Sequence, residues 1–281
     1  MALIDRVRLF CPPDFSRLRP FRIDGKTLGW IRHPFAEALR NYSGTFAVAD
    51  HEVSLHGDLT ICEARTRAVA EVCKDLAAIG MIRKLRGETF PVACSALSLP
   101  LLALDRGAVP HFGTRAYSVH LNGYVGRGDA LKLWVGRRAR DKSVAPGKLD
   151  NLVAGGRPSG FGLLDTLIKE GQEEADMPES LVRKARPAGF CSYLIETEEG
   201  IRNDLLFNFD LDLPAGFVPR NTDGEIDEFQ CWPIAKVVDR LARSDDFKFN
   251  VALVNIDFLV RHGYLAPDDP DYVEIVRGLR R

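Results

Sequence analysis

Apolar residues follow helical spacing in several stretches of the chain, and each stretch predicts a helix. The strongest pattern runs through residues 59–79, where the positions i, i+3, i+4 and i+7 of one face are Val69, Val72, Cys73 and Leu76. Similar patterns, with Gly and Pro near their ends, predict further helices at residues 33–42, 179–185, 234–242 and 249–262.

Alternating apolar and polar residues predict strands between these helices. Residues 45–55 alternate around a turn near Asp50, which indicates a hairpin, and Pro91 limits the strand at residues 88–94 to an edge or a bulge. The stretch 99–113 is rich in Pro and Gly and is expected to be a connector. Later strands are predicted at residues 117–125, 131–135, 149–154, 188–197, 201–211 and 229–232.

This order of elements predicts two domains. A chain of 281 residues exceeds the usual size of one domain. We expect residues 1–112 to form a smaller α+β domain that serves substrate specificity or dimerisation, and residues 113–281 to form an α/β domain. A homodimer is compatible with this organisation.

Composition narrows the classes of partner. The chain is 46% hydrophobic and 27% charged, which is typical of a globular protein with a large core. Its formal net charge of −1 gives no general attraction to nucleic acid or to anionic membranes, so neither is an expected partner. Any binding of phosphate must therefore come from a local cluster of charge.

Cysteines and the N-terminal segment bear on the compartment. The six cysteines are scattered without a Cys-x-x-Cys pair, so we expect reduced, mostly buried thiols rather than disulfides or a zinc site. The segment MALIDRVRLF is too short and too charged for a secretory signal, and no run of 18 apolar residues occurs. These features predict a cytoplasmic protein.

Three glutamates form the most informative local pattern. Glu170, Glu173 and Glu174 stand at positions i, i+3 and i+4 of a helix predicted to begin near Gly162, so their carboxylates share one face. Such a cluster is often only a solvated helix face. Here a predicted strand and a Gly-Gly turn precede it, which favours a site where a divalent cation offsets the repulsion between the carboxylates.

The run from Gly155, GGRPSGFGLLDTLIKEGQEEADMP, resembles the signature of Nudix hydrolases. In that family the signature is Gly, five residues, Glu, seven residues, Arg-Glu-aliphatic, one residue, Glu-Glu, one residue, Gly-aliphatic. The family's first Glu and its Arg form a pair that staples the loop to the helix. Four positions differ from the signature in this chain: Phe161, Lys169, Gly171 and Asp176. Asp165 and Lys169, at i and i+4, are expected to form a substitute pair.

The resemblance implies a fold and a set of roles. The fold is a Nudix α/β/α sandwich with a mixed sheet, which follows the smaller N-terminal domain. The implied metal ligands are Glu170, Glu173 and Glu174, which would hold Mg²⁺ or Mn²⁺. The implied catalytic residues are Glu173, Glu174 and Glu225, since many family members draw a further ligand or a general base from a later acidic loop. Glu228 is a second candidate in that loop, and the alternative is a solvated acidic turn.

Basic residues just before the signature are candidates for binding phosphate. Arg137, Arg138 and Lys142 lie in the stretch GRRARDKSVAPGKLDN, and guanidinium and ammonium groups suit phosphate oxygens. An ordinary solvated loop is the alternative. Trp30 is a candidate for stacking on an aromatic substrate, although a lone Trp is more often a core or domain contact.

A narrower resemblance covers nearly the whole chain. The segments ARTRAVAEV, RGETFPV, FGTRAYSVHLNGYV and IDFLVRHGYL are similar to the Nudix subgroup related to thiamine pyrophosphokinase, which carries an extra N-terminal domain. This resemblance implies a small-molecule diphosphate substrate, namely thiamine diphosphate or its damaged oxo and oxy analogues. The alternatives are a Nudix enzyme for nucleoside diphosphate derivatives such as ADP-ribose or nucleotide sugars, an isomerase on the same fold, and a non-catalytic ligand-sensing module.

Overall fold

The computed structural model describes residues 2–142 and 144–281. The strands are β1 Leu18–Ile23, β2 Lys26–Arg32, β3 Phe46–Val48, β4 Val53–Leu55, β5 Thr89–Val92, β6 Leu102–Asp105, β7 Arg115–Val125, β8 Lys132–Arg138, β9 Leu149–Asp150, β10 Val153–Gly156, β11 Arg186–Thr197, β12 Gly200–Asp212 and β13 Ile226–Pro233. The helices are α1 Leu3–Arg8, α2 His33–Leu39, α3 Cys62–Ala78, α4 Val109–Phe112, α5 Leu163–Ala175, α6 Glu179–Val182, α7 Ile234–Arg243, α8 Phe249–Arg261 and α9 Tyr272–Gly278.

The N-terminal region is built on a four-stranded sheet of order β2-β1-β4-β3 and a separate hairpin of β5 and β6. The predicted helix at residues 59–79 is confirmed as α3, whose buried face packs in one apolar core with both sheets. The prediction that residues 99–113 form a connector is wrong, because this stretch contains β6 and α4. Leu102 and Leu104 of β6 are buried, but a four-residue strand is too short to stand out among Pro and Gly.

The C-terminal region forms the predicted α/β/α sandwich. Its mixed sheet has the order β11-β12-β7-β8-β13, in which β12 runs parallel to β7 and the other pairs are antiparallel. The short strands β9 and β10 fill the gap between β8 and β7. Apolar residues of α5 pack on one face of this sheet, and those of α7 and α8 pack on the other. The predicted mixed fold is confirmed, and it places α5 directly over β10.

The first helix crosses the predicted division of the chain. Ile4 and Val7 of α1 lie in the same buried cluster as α8, and the Phe10 ring is 4.8 Å from that of Tyr193 in β11. Residues 3–10 therefore pack with the C-terminal core, which a boundary at residue 112 does not anticipate. The boundary itself stays a prediction.

Two expectations from composition can be compared with the structure. All six cysteines are free, but only Cys73 and Cys191 are buried, and Cys11 and Cys94 are exposed. The expectation of mostly buried thiols is therefore wrong. In the part of the chain that the structure describes, every helix is too short or too polar to cross a bilayer.

Candidate functional site

Helix α5 holds the acidic triplet against the sheet. Leu167, Ile168 and Ala175 bury its apolar face beside Val153 of β10. Gly171 packs against Val182 of α6, and a Cβ at this position would stand 3.0 Å from the Val182 Cγ2 atom, which is tighter than ordinary packing. The polar edge of α5 lies on the backbone of β10.

Glu174 lies at the centre of this contact. Its side chain is only 5% exposed, and its Oε2 atom accepts a hydrogen bond of 2.9 Å from the backbone N–H of Ala154. None of the ion pairs among the described residues includes Glu174. Burial raises the pKa of this carboxyl well above its ordinary value, and the neighbouring charges of Glu170, Asp150 and Glu225 raise it further. A buried carboxyl without a cationic partner is the arrangement that a metal ion would stabilise.

Glu170 lies over Gly155 at the end of β10. The Gly-Gly turn predicted there is wrong, because Gly155 and Gly156 continue the strand and pair with β7. A Cβ at Gly155 would stand 2.3 Å from both Cγ and Cδ of Glu170, so only glycine leaves room for this side chain. Burial raises the pKa of Glu170, and this effect exceeds the lowering caused by the charge of Lys169. Gly155, the first residue of the signature, thus allows a carboxylate to rest directly on β10.

Lys169 occupies the space between two of the predicted ligands. Its Nζ atom lies 3.1 Å from Glu170 Oε1 and 2.7 Å from Glu173 Oε2. Burial alone would lower the pKa of Lys169, but these two carboxylates outweigh it and raise the pKa. The predicted pair of Asp165 and Lys169 is wrong. The Asp165 carboxylate instead accepts a hydrogen bond of 3.2 Å from the backbone N–H of Gly162 at the start of α5.

The donor set suits a hard divalent cation, but the side chains are not gathered into a finished site. Carboxylate oxygens are the ligands that Mg²⁺ and Mn²⁺ prefer, and Glu170, Glu173 and Glu174 supply them from adjacent turns. Across residues 2–142 and 144–281, no three His, Cys, Asp or Glu side chains form a ready metal site. A metal ion that took both Glu170 and Glu173 as ligands would compete with Lys169 for their carboxylates.

The later acidic loop brings one of its two candidates to the triplet. The charge of Glu225 reaches both Glu170 and Glu174, since it raises the pKa of each. The loop is tied to α5 because the Thr222 hydroxyl donates to the backbone carbonyls of Gln172 and Glu173. Glu228 is not brought into the site; its carboxylate accepts a hydrogen bond of 2.6 Å from Gln230 on the exposed edge strand β13.

Of the three basic candidates, Lys142 is paired with a predicted catalytic residue. Lys142 Nζ lies 2.9 Å from Glu225 Oε1, so the basic loop and the acidic loop meet there. Arg137 donates to the Gly147 carbonyl at 3.0 Å and holds the loop closed.

The prediction that Arg138 binds phosphate is not supported by its position. Its side chain is 9% exposed, and its guanidinium donates to Asp150 Oδ2 at 2.8 Å and to the Val144 carbonyl at 3.2 Å. Lys248 also reaches Asp150, at 3.5 Å. These two cations outweigh burial and lower the pKa of Asp150. Arg138 therefore anchors the basic loop from beneath.

Trp30 is not part of this site. It lies in β2 of the N-terminal region, and its ring packs edge-on against Phe15, with centroids 4.7 Å apart. The prediction that it stacks on substrate is therefore unsupported, and the alternative of a packing contact describes its position.

The structure adds three residues that sequence patterns did not single out: Asp150, Lys248 and Arg157. Asp150 is hidden in a stretch that reads as an apolar strand, and Lys248 is 98 residues away from it. Arg157 lies inside the signature itself, at a position that the family pattern leaves open. In the sequence, Arg157 differs from its neighbours only as a basic residue in a loop of mostly small and apolar residues.

Comparisons with known proteins show what this chain resembles. A family model described as a domain of unknown function (DUF4743) matches residues 4–116. Nudix hydrolase 24, chloroplastic, of Arabidopsis thaliana is 40% identical over 263 residues, which cover 93% of this chain and 72% of that protein. Nudix hydrolase 20, chloroplastic, of the same plant is 40% identical over 270 residues, with the same coverage.

A solved structure, the MutT protein from Methanosarcina mazei Go1, is 18% identical, with a TM-score of 0.40. The match covers 53% of this chain and 94% of the Methanosarcina chain.

The prediction of a cytoplasmic protein is contradicted by these relatives, since both Arabidopsis proteins are named chloroplastic. Charge, hydropathy and cysteine usage describe the folded part of a chain. Segments that direct a protein to an organelle are separate from that fold, so composition is a poor guide to the compartment.

Proposed function

This chain belongs to the Nudix hydrolase family and is a hydrolase of pyrophosphate bonds, and from that premise we propose that it cleaves small organic diphosphates with the help of Mg²⁺ or Mn²⁺. The observation that carries the metal dependence is the environment of Glu174. A carboxyl held out of water, with one backbone hydrogen bond and no ion pair, costs stability unless a cation completes it.

The acidic residues divide the work in this proposal. Glu170, Glu173 and Glu174 hold the metal, which when bound neutralises phosphate oxygens and lowers the pKa of water. Glu225 accepts the proton of the attacking water, with Glu174 as the other candidate base, because both lie in the same acidic group. The water oxygen forms a bond to phosphorus, the bridging P–O bond breaks, and the products are a monophosphate and phosphate.

Lys142 is the residue that we assign to the phosphate end of the substrate. It pairs with Glu225, with 2.9 Å between Lys142 Nζ and Glu225 Oε1. An ammonium group on a flexible stem can turn from a carboxylate to a phosphate at small cost. Arg137 and Arg138 act on this step only by holding the loop that carries Lys142.

Thiamine diphosphate and its oxo and oxy analogues are the substrates that we propose. The support is the resemblance to the subgroup related to thiamine pyrophosphokinase, in segments that the structure places in α3, β5, β7 and α8. No described side chain requires a thiamine ring. Nucleoside diphosphate derivatives such as ADP-ribose are therefore the main competitors.

A substrate panel tests the proposal. The full-length protein is assayed with Mg²⁺ or Mn²⁺ on thiamine diphosphate, its oxo and oxy analogues, ADP-ribose and a nucleotide sugar, in ¹⁸O-labelled water with mass analysis of both products. We expect turnover that stops when EDTA is added, and the highest kcat/KM on the damaged thiamine analogues. A preference for ADP-ribose would replace the thiamine assignment. No metal-dependent turnover on any member would contradict the proposed activity and favour a ligand-sensing module.

A further inference from the structure

The loop before α5 lacks the internal side-chain pair that the family signature provides. Phe161 stands where the signature has Glu, and Lys169 stands where it has Arg. Lys169 is engaged by Glu170 and Glu173, and Asp165 caps the helix backbone at Gly162. Something else must hold residues 157–161 in place, because Glu170 rests on Gly155, at the end of the strand from which this loop begins.

Arg157 fills this role with one side chain. Its Nε atom donates to the Phe161 carbonyl at 2.8 Å, which closes the loop on itself. Its Nη1 atom donates to the Ala96 carbonyl of the N-terminal region. Its guanidinium also lies over the Tyr117 ring, 5.6 Å from the centroid. One planar, permanently charged group thus joins the loop, the sheet and the N-terminal region.

Two further contacts hold the same loop against the N-terminal region. The backbone N–H of Ser159 donates to the Thr89 carbonyl at 2.8 Å. The Phe90 ring presses on Gly156 so closely that a Cβ there would stand 2.4 Å from Phe90 Cζ. Both partners belong to β5, so this strand supports the loop along residues 156–159.

We propose that Arg157 is a positioning residue that fastens the loop before the metal helix to the N-terminal region, and that this region thereby replaces the missing Glu–Arg staple. The inference rests on the proposed function, because its consequence is the placement of Glu170 for metal binding and hydrolysis. Gly155, on which Glu170 rests, lies two residues before Arg157. Release of the loop lets this end of β10 move, and displacements of about 1 Å can lower turnover by as much as 10²-fold.

The test compares Arg157→Gln with Arg157→Lys and with a matched control. Arg183→Gln removes an exposed guanidinium that pairs only with Glu179 on α6, away from the loop. We expect Arg157→Gln to lower kcat on the order of 10- to 100-fold at saturating metal and substrate, and Arg183→Gln to change it less than twofold. Arg157→Lys can reach only one of the two carbonyls, so it should recover part of the loss. Free guanidinium at millimolar concentration should partly restore Arg157→Gln.

A readout that does not need turnover separates this inference from the proposed function. Hydrogen exchange of the metal-free protein should show faster exchange at the Ser159 amide in Arg157→Gln, with β12 unchanged. If the wild type hydrolyses no diphosphate but the loop exchange rises as expected, the proposed function fails and the fastening role stands. If Arg157→Gln matches Arg183→Gln in both kcat and exchange, the positioning role is overturned.

Discussion

Two groups of buried carboxylates lie on opposite faces of the C-terminal sheet, and they differ in what accompanies them. On the α8 face, Asp257 accepts hydrogen bonds from Arg261, Arg280 and Asn208, at 2.7, 2.8 and 3.0 Å. Asp210 on that face is likewise paired with Arg261. On the α5 face, Glu174 has one backbone donor and three acidic neighbours.

The difference separates carboxylates that stabilise the fold from those available for chemistry. A buried charge that is fully paired is costly to disturb and leaves no capacity for a ligand. A buried carboxyl without a cationic partner lowers the stability of the fold. Carboxyls of this kind are found most often at functional sites. Asp257 and Glu174 are both buried, so it is their partners that distinguish the two carboxyls.

The largest effect is expected from Glu174→Gln. The amide oxygen can still accept the Ala154 hydrogen bond, but the charge available to a metal is lost. Hydrolysis should fall on the order of 10²- to 10³-fold. Stability without metal should equal or exceed that of the wild type, since no carboxyl is held out of water. Steady-state kinetics and urea unfolding in EDTA measure the two changes; a destabilised but active variant would place Glu174 among the structural carboxylates.

Asp257→Asn should show the reverse pattern. It leaves two partly exposed guanidinium groups facing a buried neutral amide, and we expect a loss of about 3 kcal/mol in the free energy of unfolding. Turnover measured well below the unfolding midpoint should stay within about twofold of the wild type, because α8 packs on the face opposite α5. If activity fell by more than the loss of folded protein accounts for, Asp257 would not be a purely structural carboxylate.

His120 should make the free energy of unfolding depend on pH. Burial lowers the pKa of His120 to about 4, from an ordinary value of 6.5. The native state therefore binds fewer protons than the unfolded state between these values. Stability is fully present above pH 6.5 and falls by about 3 kcal/mol as the pH approaches 4. In His120→Gln the loss of unfolding free energy between pH 6.5 and pH 4 should be smaller by that amount; an unchanged loss would show that another group is responsible.

Lys169→Met should give the smallest effect, on the α5 face. Lys169 competes with a metal ion for Glu170 and Glu173, and Glu173 is half-exposed, so each pair contributes at most about 1 kcal/mol. Its removal should tighten Mn²⁺ binding roughly three- to ten-fold, as measured by titration with electron paramagnetic resonance. Lys169→Arg serves as the control that keeps the charge. Weaker Mn²⁺ binding in Lys169→Met would mean that the ammonium group orients the ligands instead.

Local patterns predicted the parts of the fold and site that are local. The glutamate triplet needs only helical spacing, and α3 and α8 need only a periodic apolar face. The strands β1 and β2 were missed because Pro20 and a short Asp-Gly turn interrupt their alternation. Helix α1 was missed as a partner of α8, because sequence separation hides that contact.

The wrong assignments at the site have a common physical origin. Arg138 resembled a phosphate ligand by residue type, but its role is decided by Asp150, twelve residues away and buried beside it. Lys169 pairs with Glu173 at i+4 rather than with Asp165 at i−4, because Asp165 is engaged as a helix cap. In both cases a competing partner decides the role. For Arg138 that partner is brought near by folding, whereas for Lys169 it lies in the same helix, and helical spacing alone left both pairings open.

Anomalous diffraction from crystals of the full-length protein in saturating Mn²⁺ tests the central claim most directly. We predict an anomalous peak bound by Glu174 and Glu170 oxygens, with the Lys169 ammonium group displaced from both of its carboxylates. A structure without an anomalous peak at α5, in which Lys169 still bridges Glu170 and Glu173, would contradict the assignment of this helix as the metal-binding element.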